Sequence, residues 1–168
     1  MADKTLDTLF HETLKDIYYA ERQITKNLKK MARAAQDPEL KAAFEAHQEE
    51  TDNQIERLKQ VFELIGKRPQ GKTCDAIEGI ISEAAEVMEE FKDSPAHDAG
   101  LLAAAQAVEH YEMSRYGSLK AWAQQLGMDE AVTLLDETLQ EETATDEKLT
   151  VLAETAVNTA ATGSVEAA

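Results

Sequence analysis

Apolar residues recur along most of this chain at spacings of three and four, the period of an α-helix that buries one face. Leu14, Ile17, Ile24, Leu28 and Met31 form one such stripe, which predicts a first helix over Thr5–Ala35. Leu40, Phe44, Leu58, Val61 and Ile65 form a second, over Pro38–Ile65. Asp37-Pro38 between them combines an N-cap carboxylate with the residue best tolerated at the first helical position. The run Gly66–Lys72, GKRPQGK, breaks the pattern. A shorter helix is expected from Cys74 to Phe91, with Thr73 as its N-cap. Ser94-Pro95 repeats the cap-then-proline signal and predicts the opening of a third long helix, which Gly127 stops after Leu126. A fourth runs from Asp129 to Asn158, and the tail from Thr159 shows no periodicity. No segment reads as a strand.

Long helices joined by a tight turn are antiparallel neighbours, so the four make two hairpins. Residues 66–95 between the hairpins suffice to cross the length of a bundle. The expectation is one all-α domain over residues 1–158: two antiparallel hairpins with a long crossover that carries a short fifth helix. Residues 159–168 form a frayed tail. The hairpins also resemble each other. Gln48-Glu49-Glu50-Thr51 recurs as Gln140-Glu141-Glu142-Thr143 at an offset of 92. Ala20-Glu21 falls on Tyr111-Glu112, and Leu28-Lys29 on Leu119-Lys120, at an offset of 91. A duplicated hairpin with a pseudo-twofold axis is the simplest account.

Ala, Leu, Glu, Lys and Gln dominate the composition, which favours helix. The formal net charge of −16 repels phosphate backbones and anionic membrane surfaces, so neither nucleic acid nor membrane is an expected partner. No apolar run approaches the ~20 residues of a membrane span. The first residues, MADKTLDTLF, lack a basic and apolar leader, and a cytoplasmic location is the default expectation. The single cysteine, Cys74, permits no internal disulfide and has no Cys/His arrangement around it, so it reads as a buried thiol.

The informative residues are acids on faces that ought to be apolar. The first helix reads Leu14, Ile17, Glu21, Ile24, Leu28, Met31. The third reads Leu102, Ala105, Glu109, Glu112, Tyr116, Leu119, Ala123. The second reads Phe44, His47, Glu50, Gln54, Leu58, and the fourth Leu135, Thr138, Glu142, Asp146, Leu149, Leu152. The repeat pairs Glu21 with Glu112 and Glu50 with Glu142, and antiparallel hairpins bring these to one level. A single Glu on such a stripe usually sits at its edge and faces water, as Glu49 and Glu141 are expected to. An unpaired buried carboxylate is costly, and no lysine or arginine lies on these stripes to neutralise the group. Divalent cations would do so, and oxygen ligands with an imidazole suit iron or manganese. Glu21, His47, Glu50, Glu109, Glu112, Glu142 and Asp146 are the candidate ligands for two divalent ions, iron first, manganese or zinc as alternatives. His110, His11 and His97 read as surface residues. Tyr116, one turn after Glu112, is placed to hydrogen-bond a ligand, and Trp122 reads as core or interface.

The stretches DIYYAERQITKNLKKMARAA, AFEAHQEETDNQIERL, AAAQAVEHYEMSRYGSLKAWAQQLG and LLDETLQEETATDEKLTVLA resemble the YciE/YciF family of bacterial ferritin-like stress proteins. The resemblance covers Thr5 to Asn158. It implies a rubrerythrin-like four-helix bundle, a homodimer and a link to stress, and no settled reaction. If the metals react, O2 or peroxide is the expected substrate. Rubrerythrins carry a Glu on the first helix, E-x-x-H on the second, E-x-x-E on the third and E-x-x-H on the fourth. Glu21 and Glu109-His110-Tyr111-Glu112 match the first and third motifs, while Glu50 and Glu142 match the glutamates of the others. The histidines are missing: Asn53 and Thr145 stand in their places. The rubredoxin-type cysteines are absent too. A helical-bundle protein with a structural or interaction role, its redox chemistry lost, is the competing expectation.

Overall fold

A computed structural model describes residues 4–163, and among these every regular element is helical. The helices are α1 (Leu6–Ala34), α2 (Pro38–Leu64), α3 (Asp75–Glu90), α4 (His97–Gln125) and α5 (Asp129–Leu152). The last continues through a π-helical turn, Ala153–Val157, into α6, Asn158–Ala161. The helix therefore outlasts its predicted end at Asn158, while residues 164–168 of the expected tail lie outside the described part.

The turn residues do what their chemistry allows. Asp37 Oδ1 accepts the free N–H groups of Glu39 and Leu40 at 2.8 and 2.9 Å, capping α2. At Gly127, φ is +71°, and the Gln124 and Ala123 carbonyls accept the N–H groups of Gly127 and Met128 at 3.2 and 2.9 Å. That pair of bonds is the glycine stop of a helix, and Gly66 closes α2 the same way. Two expected caps fail. The cap of α3 is Cys74, whose Sγ accepts from the Ile77 N–H at 3.4 Å, not Thr73. Ser94-Pro95 does not cap α4, which begins at His97 without a side-chain cap. A tight turn closed by Ser94 N–H on the Phe91 carbonyl holds Ser94 two residues before the cap position, Ala96.

Within hairpins α1 packs on α2 and α4 on α5; between them α1 packs on α4 and α2 on α5, so the four long helices enclose one core. Three-residue turns join the members of each pair, which therefore run antiparallel. Leu14, Ile17, Leu58, Val61, Leu101, Leu119 and Leu135 are all buried there. α3 lies across α1 and α4. Its approach is pinned by Lys72 N–H donating to the Lys15 carbonyl at 3.1 Å and by a 3.0 Å contact between Cys74 Sγ and the Tyr111 hydroxyl. The hairpins are tied by Asp98, whose carboxylate accepts from Gln36 N–H at 3.0 Å and Asp37 N–H at 2.6 Å in the α1–α2 turn. His97, expected at the surface, is buried beside it, with Nδ1 3.1 Å from Asp98 Oδ1.

Burial fixes the register of the repeat. α1 and α4 span 29 residues each at an offset of 91. Every buried position of α2 falls on a buried position of the second hairpin at that same offset. Phe44 falls on Leu135, His47 on Thr138, Thr51 on Glu142, Gln54 on Thr145 and Leu58 on Leu149. The QEET match at 92 is one residue out of register, and one residue is 100° of helix.

Gly100 gives a test of the α3–α4 contact. A Cβ there would clash with Val87 Cγ1, and valine cannot swing away freely. Gly100→Ala is expected to destabilise the fold by about 1–3 kcal/mol in chemical denaturation, despite alanine's better helix propensity. The same change in a Val87→Ala background is expected to cost far less.

Candidate metal centre

The inner faces converge on one polar cluster. His47 from α2, Glu109 and Glu112 from α4 and Glu142 from α5 each offer a ligand atom, and these atoms all lie within 4.8 Å of one another. All four residues are buried. Glu109 and Glu112, three apart, share one face of α4. Glu21 of α1 is also fully buried and sits at the margin of the group, where Tyr116 donates its hydroxyl proton to Oε1. The hydrogen bond expected of Tyr116 is thus present. A cavity of about 10 Å³ beside His47 and Glu109 is walled largely by Ile24, Leu28, Met31, Ala105 and Val108. It has room for no more than about one water, so little solvent reaches the acids.

Several buried atoms have no hydrogen-bond partner among the described residues: Glu21 Oε2, both oxygens of Glu109 and of Glu112, Glu142 Oε2 and His47 Nε2. His47 Nδ1 is 3.0 Å from Glu109 Oε1, and Nε2 is 3.4 Å from Glu142 Oε2. These are ion-pair separations without hydrogen-bond alignment. Buried polar groups are normally satisfied, so a concentration of bare oxygens calls for a cation or for protons.

Protons do part of that task. Burial, followed by the Glu142 charge, pushes the Glu21 carboxyl up to about 8. Burial and Glu142 push Glu109 up to about 9, with His47 opposing. Burial and the surrounding acids hold Glu112 well above its usual range. Burial disfavours a charged His47, but Glu109 and Glu142 outweigh it and raise its pKa well above the ordinary imidazole value. Glu142 goes the other way: burial would raise it, but the adjacent Glu109 and His47 outweigh burial and lower it. In the metal-free pocket the surroundings thus favour protons on Glu21, Glu109 and Glu112, while Glu142 and His47 are drawn toward their charged forms.

Two expected ligands are not brought into this cluster. Glu50 is half-buried at the α2–α5 seam, where it accepts the Thr145 hydroxyl at 3.2 Å. The corrected register explains it: the inner residue of α2 opposite Glu142 is Thr51. Asp146 lies on the flank of α5, 3.2 Å from His110 Nε2 and accepting from Gln106 Nε2 at 3.2 Å. The buried row of α5 steps from Glu142 to Thr145 to Leu149 and leaves Asp146 aside. One residue was undervalued. Gln54 is fully buried, and its amide donates both to Glu142 Oε1 and, at 3.0 Å, to Glu141 Oε2. Arg57 then grips Glu141 through two 2.6 Å bonds. The signal was available: a glutamine stood among the apolar positions of the α2 stripe.

A helical bundle with a buried carboxylate–imidazole cluster is the class this fold and site define. The chain belongs to the family described as Domain of unknown function (DUF892), which it matches over residues 5–162. It is 49% identical to Protein YciF of Escherichia coli K12 over 156 residues, 92% of this chain and 94% of that protein. Its fold is similar to the crystal structure of the E. coli stress protein YciF, with a TM-score of 0.88 and coverage of 93% of this chain and 99% of the other. YcfI of Rhodopseudomonas palustris, described as a candidate structural protein, has a TM-score of 0.85 at 49% identity, covering 88% and 94%. The resemblance to YciE/YciF proteins read from the sequence is borne out.

The raised acids set a pH dependence. An unfolded glutamate loses its proton near 4.5, while folded Glu21 and Glu109 keep theirs to about 8 and 9. The folded state thus binds more protons across that window, and stability falls as pH rises through it. His47, raised as well, acts in the same direction; the lowered Glu142 matters only in acid. Metal-free protein is expected to melt at a lower temperature at about pH 9 than at about pH 6. Glu109→Gln, which cannot ionise, is expected to flatten that slope in a melting series.

Proposed function

We propose that this chain is a ferritin-like stress protein whose core cluster binds divalent metal, iron or manganese. The observation that carries the reading is the set of buried Glu and His atoms, converging from three helices and lacking hydrogen-bond partners. The donor set fits such an ion: carboxylate oxygens with one imidazole are hard, oxygen-rich ligands that suit iron or manganese. His47, Glu109, Glu112 and Glu142 would hold it, with Glu21 adjacent. A bound iron or manganese would supply one-electron chemistry toward O2 or peroxide. The chain's own residues contribute the dry pocket, the aliphatic wall beside His47, and carboxyls that release protons as the ion enters. The stress role rests on the E. coli relative, which is described as a stress protein. A homodimer is part of the same proposal, resting on resemblance; light scattering at micromolar concentration should return twice the chain mass.

A second reading, a structural or interaction protein, has one observation in its favour. Thr51, Gln54 and Thr145 occupy the inner positions where the ferritin-like pattern would put a glutamate and histidines. The R. palustris relative is described in those terms.

Metal analysis separates the two. Protein freed of metal and loaded with Fe(II) or Mn(II) without oxygen should retain ion through gel filtration. Uptake should release protons to a pH indicator and tighten as pH rises, because the ligands must give up protons first. Glu142→Gln is expected to abolish retention, whereas Glu50→Gln leaves it intact. Retention of no ion by the parent would favour the structural reading.

A further inference from the structure

The four-helix metal proteins with two ions draw ligands from two equivalent halves, and here the halves are unequal. In the register set by burial, the second hairpin supplies Glu109, Glu112 and Glu142. Their counterparts in the first are Tyr18, Glu21 and Thr51, so three carboxylates face one. Thr51 cannot substitute, since its hydroxyl is bound to the His47 carbonyl at 2.9 Å. His47, although it belongs to the first hairpin, reaches across to Glu109 and Glu142.

Neutral hydrogen-bond donors stand where further ligands would be. Gln54 of the first half directs its NH2 to Glu142, and Tyr116 of the second directs its hydroxyl to Glu21, the first half's one carboxylate. The orientation of the Gln54 amide is fixed by chemistry: turning it would set its oxygen against Glu141 and Glu142 together. Each donor occupies an oxygen that a second cation would need, and each supplies the partial positive charge that cation would have brought. Charge alone does not decide the number, because four carboxylates would balance two dications. The donors do. Behind Gln54 stands the Arg57–Glu141 pair, holding the amide in place from outside.

We propose that the centre binds a single ion, in the half built by Glu109, Glu112, Glu142 and His47, and that Gln54 and Tyr116 replace the second ion of a symmetric site. This rests on the metal-binding reading above. The sequence pattern implied a pair of ions; the inner residues of α2 do not provide for the second.

Equilibrium dialysis of the full metal-free chain against Mn(II), with elemental analysis and electron paramagnetic resonance, tests it. The parent should take up one ion per chain at saturation and show the hyperfine pattern of isolated Mn(II). Thr51→Glu combined with Gln54→His restores Glu-x-x-His on α2; it should double the uptake and replace that pattern with the broadened signal of a coupled pair. Two ions in the parent would overturn the single-ion inference and leave the metal-binding reading standing. None would overturn both. A folded double variant, judged by circular dichroism, that still takes only one ion would show that Thr51 and Gln54 are not what excludes the second. If the double variant does not fold, the parent's stoichiometry and spectrum decide alone.

Discussion

Removing glutamates from water is the constraint around which the rest of this protein is organised. Glu21, Glu109, Glu112 and Glu142 are each completely buried. Carrying them all as bare anions would cost far more than a domain's net stability, typically about 5–15 kcal/mol. The fold answers with three devices. Burial favours protons on most of the acids, His47 is drawn toward its charged form beside Glu109 and Glu142, and neutral donors from Tyr116 and Gln54 satisfy single oxygens. Each leaves lone pairs bare, and those are what a cation can use.

The aliphatic stripes exist to make that burial tolerable. Leucines and isoleucines above and below the acids hold four helices at a fixed spacing, so the acids cannot relax outward to water. α3 and its approach cover α1 and α4 along Lys15, Tyr19 and Tyr111. Stability and binding capacity therefore draw on the same residues in opposite senses: what is costly in the empty pocket is what binds an ion.

Most of the fold was legible because it rests on long periodic signals. Four stripes, Asp37-Pro38 and Gly127 each have one structural meaning, and each took it. Ser94-Pro95 failed because a serine before proline signals a turn as readily as a helix start. The site was legible to the level of the helix face and not of the residue. Glu21, Glu109, Glu112 and Glu142 interrupt unambiguous stripes and are buried as expected. On α2 the polar run His47 to Gln54 contains no aliphatic residue, so nothing in it distinguishes the Glu50 face from the Thr51 face. The identity of QEET with QEET then pointed to the wrong one. Only the burial of both hairpins resolves the slip, because it depends on every position at once.

Asp98 carries a consequence for how the molecule comes into being. The backbone N–H groups of the α1–α2 turn end on a carboxylate sixty-one and sixty-two residues further along the chain. A hairpin emerging from the ribosome has both its helices and its apolar faces before that residue has been made. Its bend stays open to water until the start of α4 arrives. The contact also brings together segments far apart in sequence, which slows closure, since distant parts must meet before the bond forms. The α1–α2 turn thus reaches its finished shape only in the presence of the second hairpin.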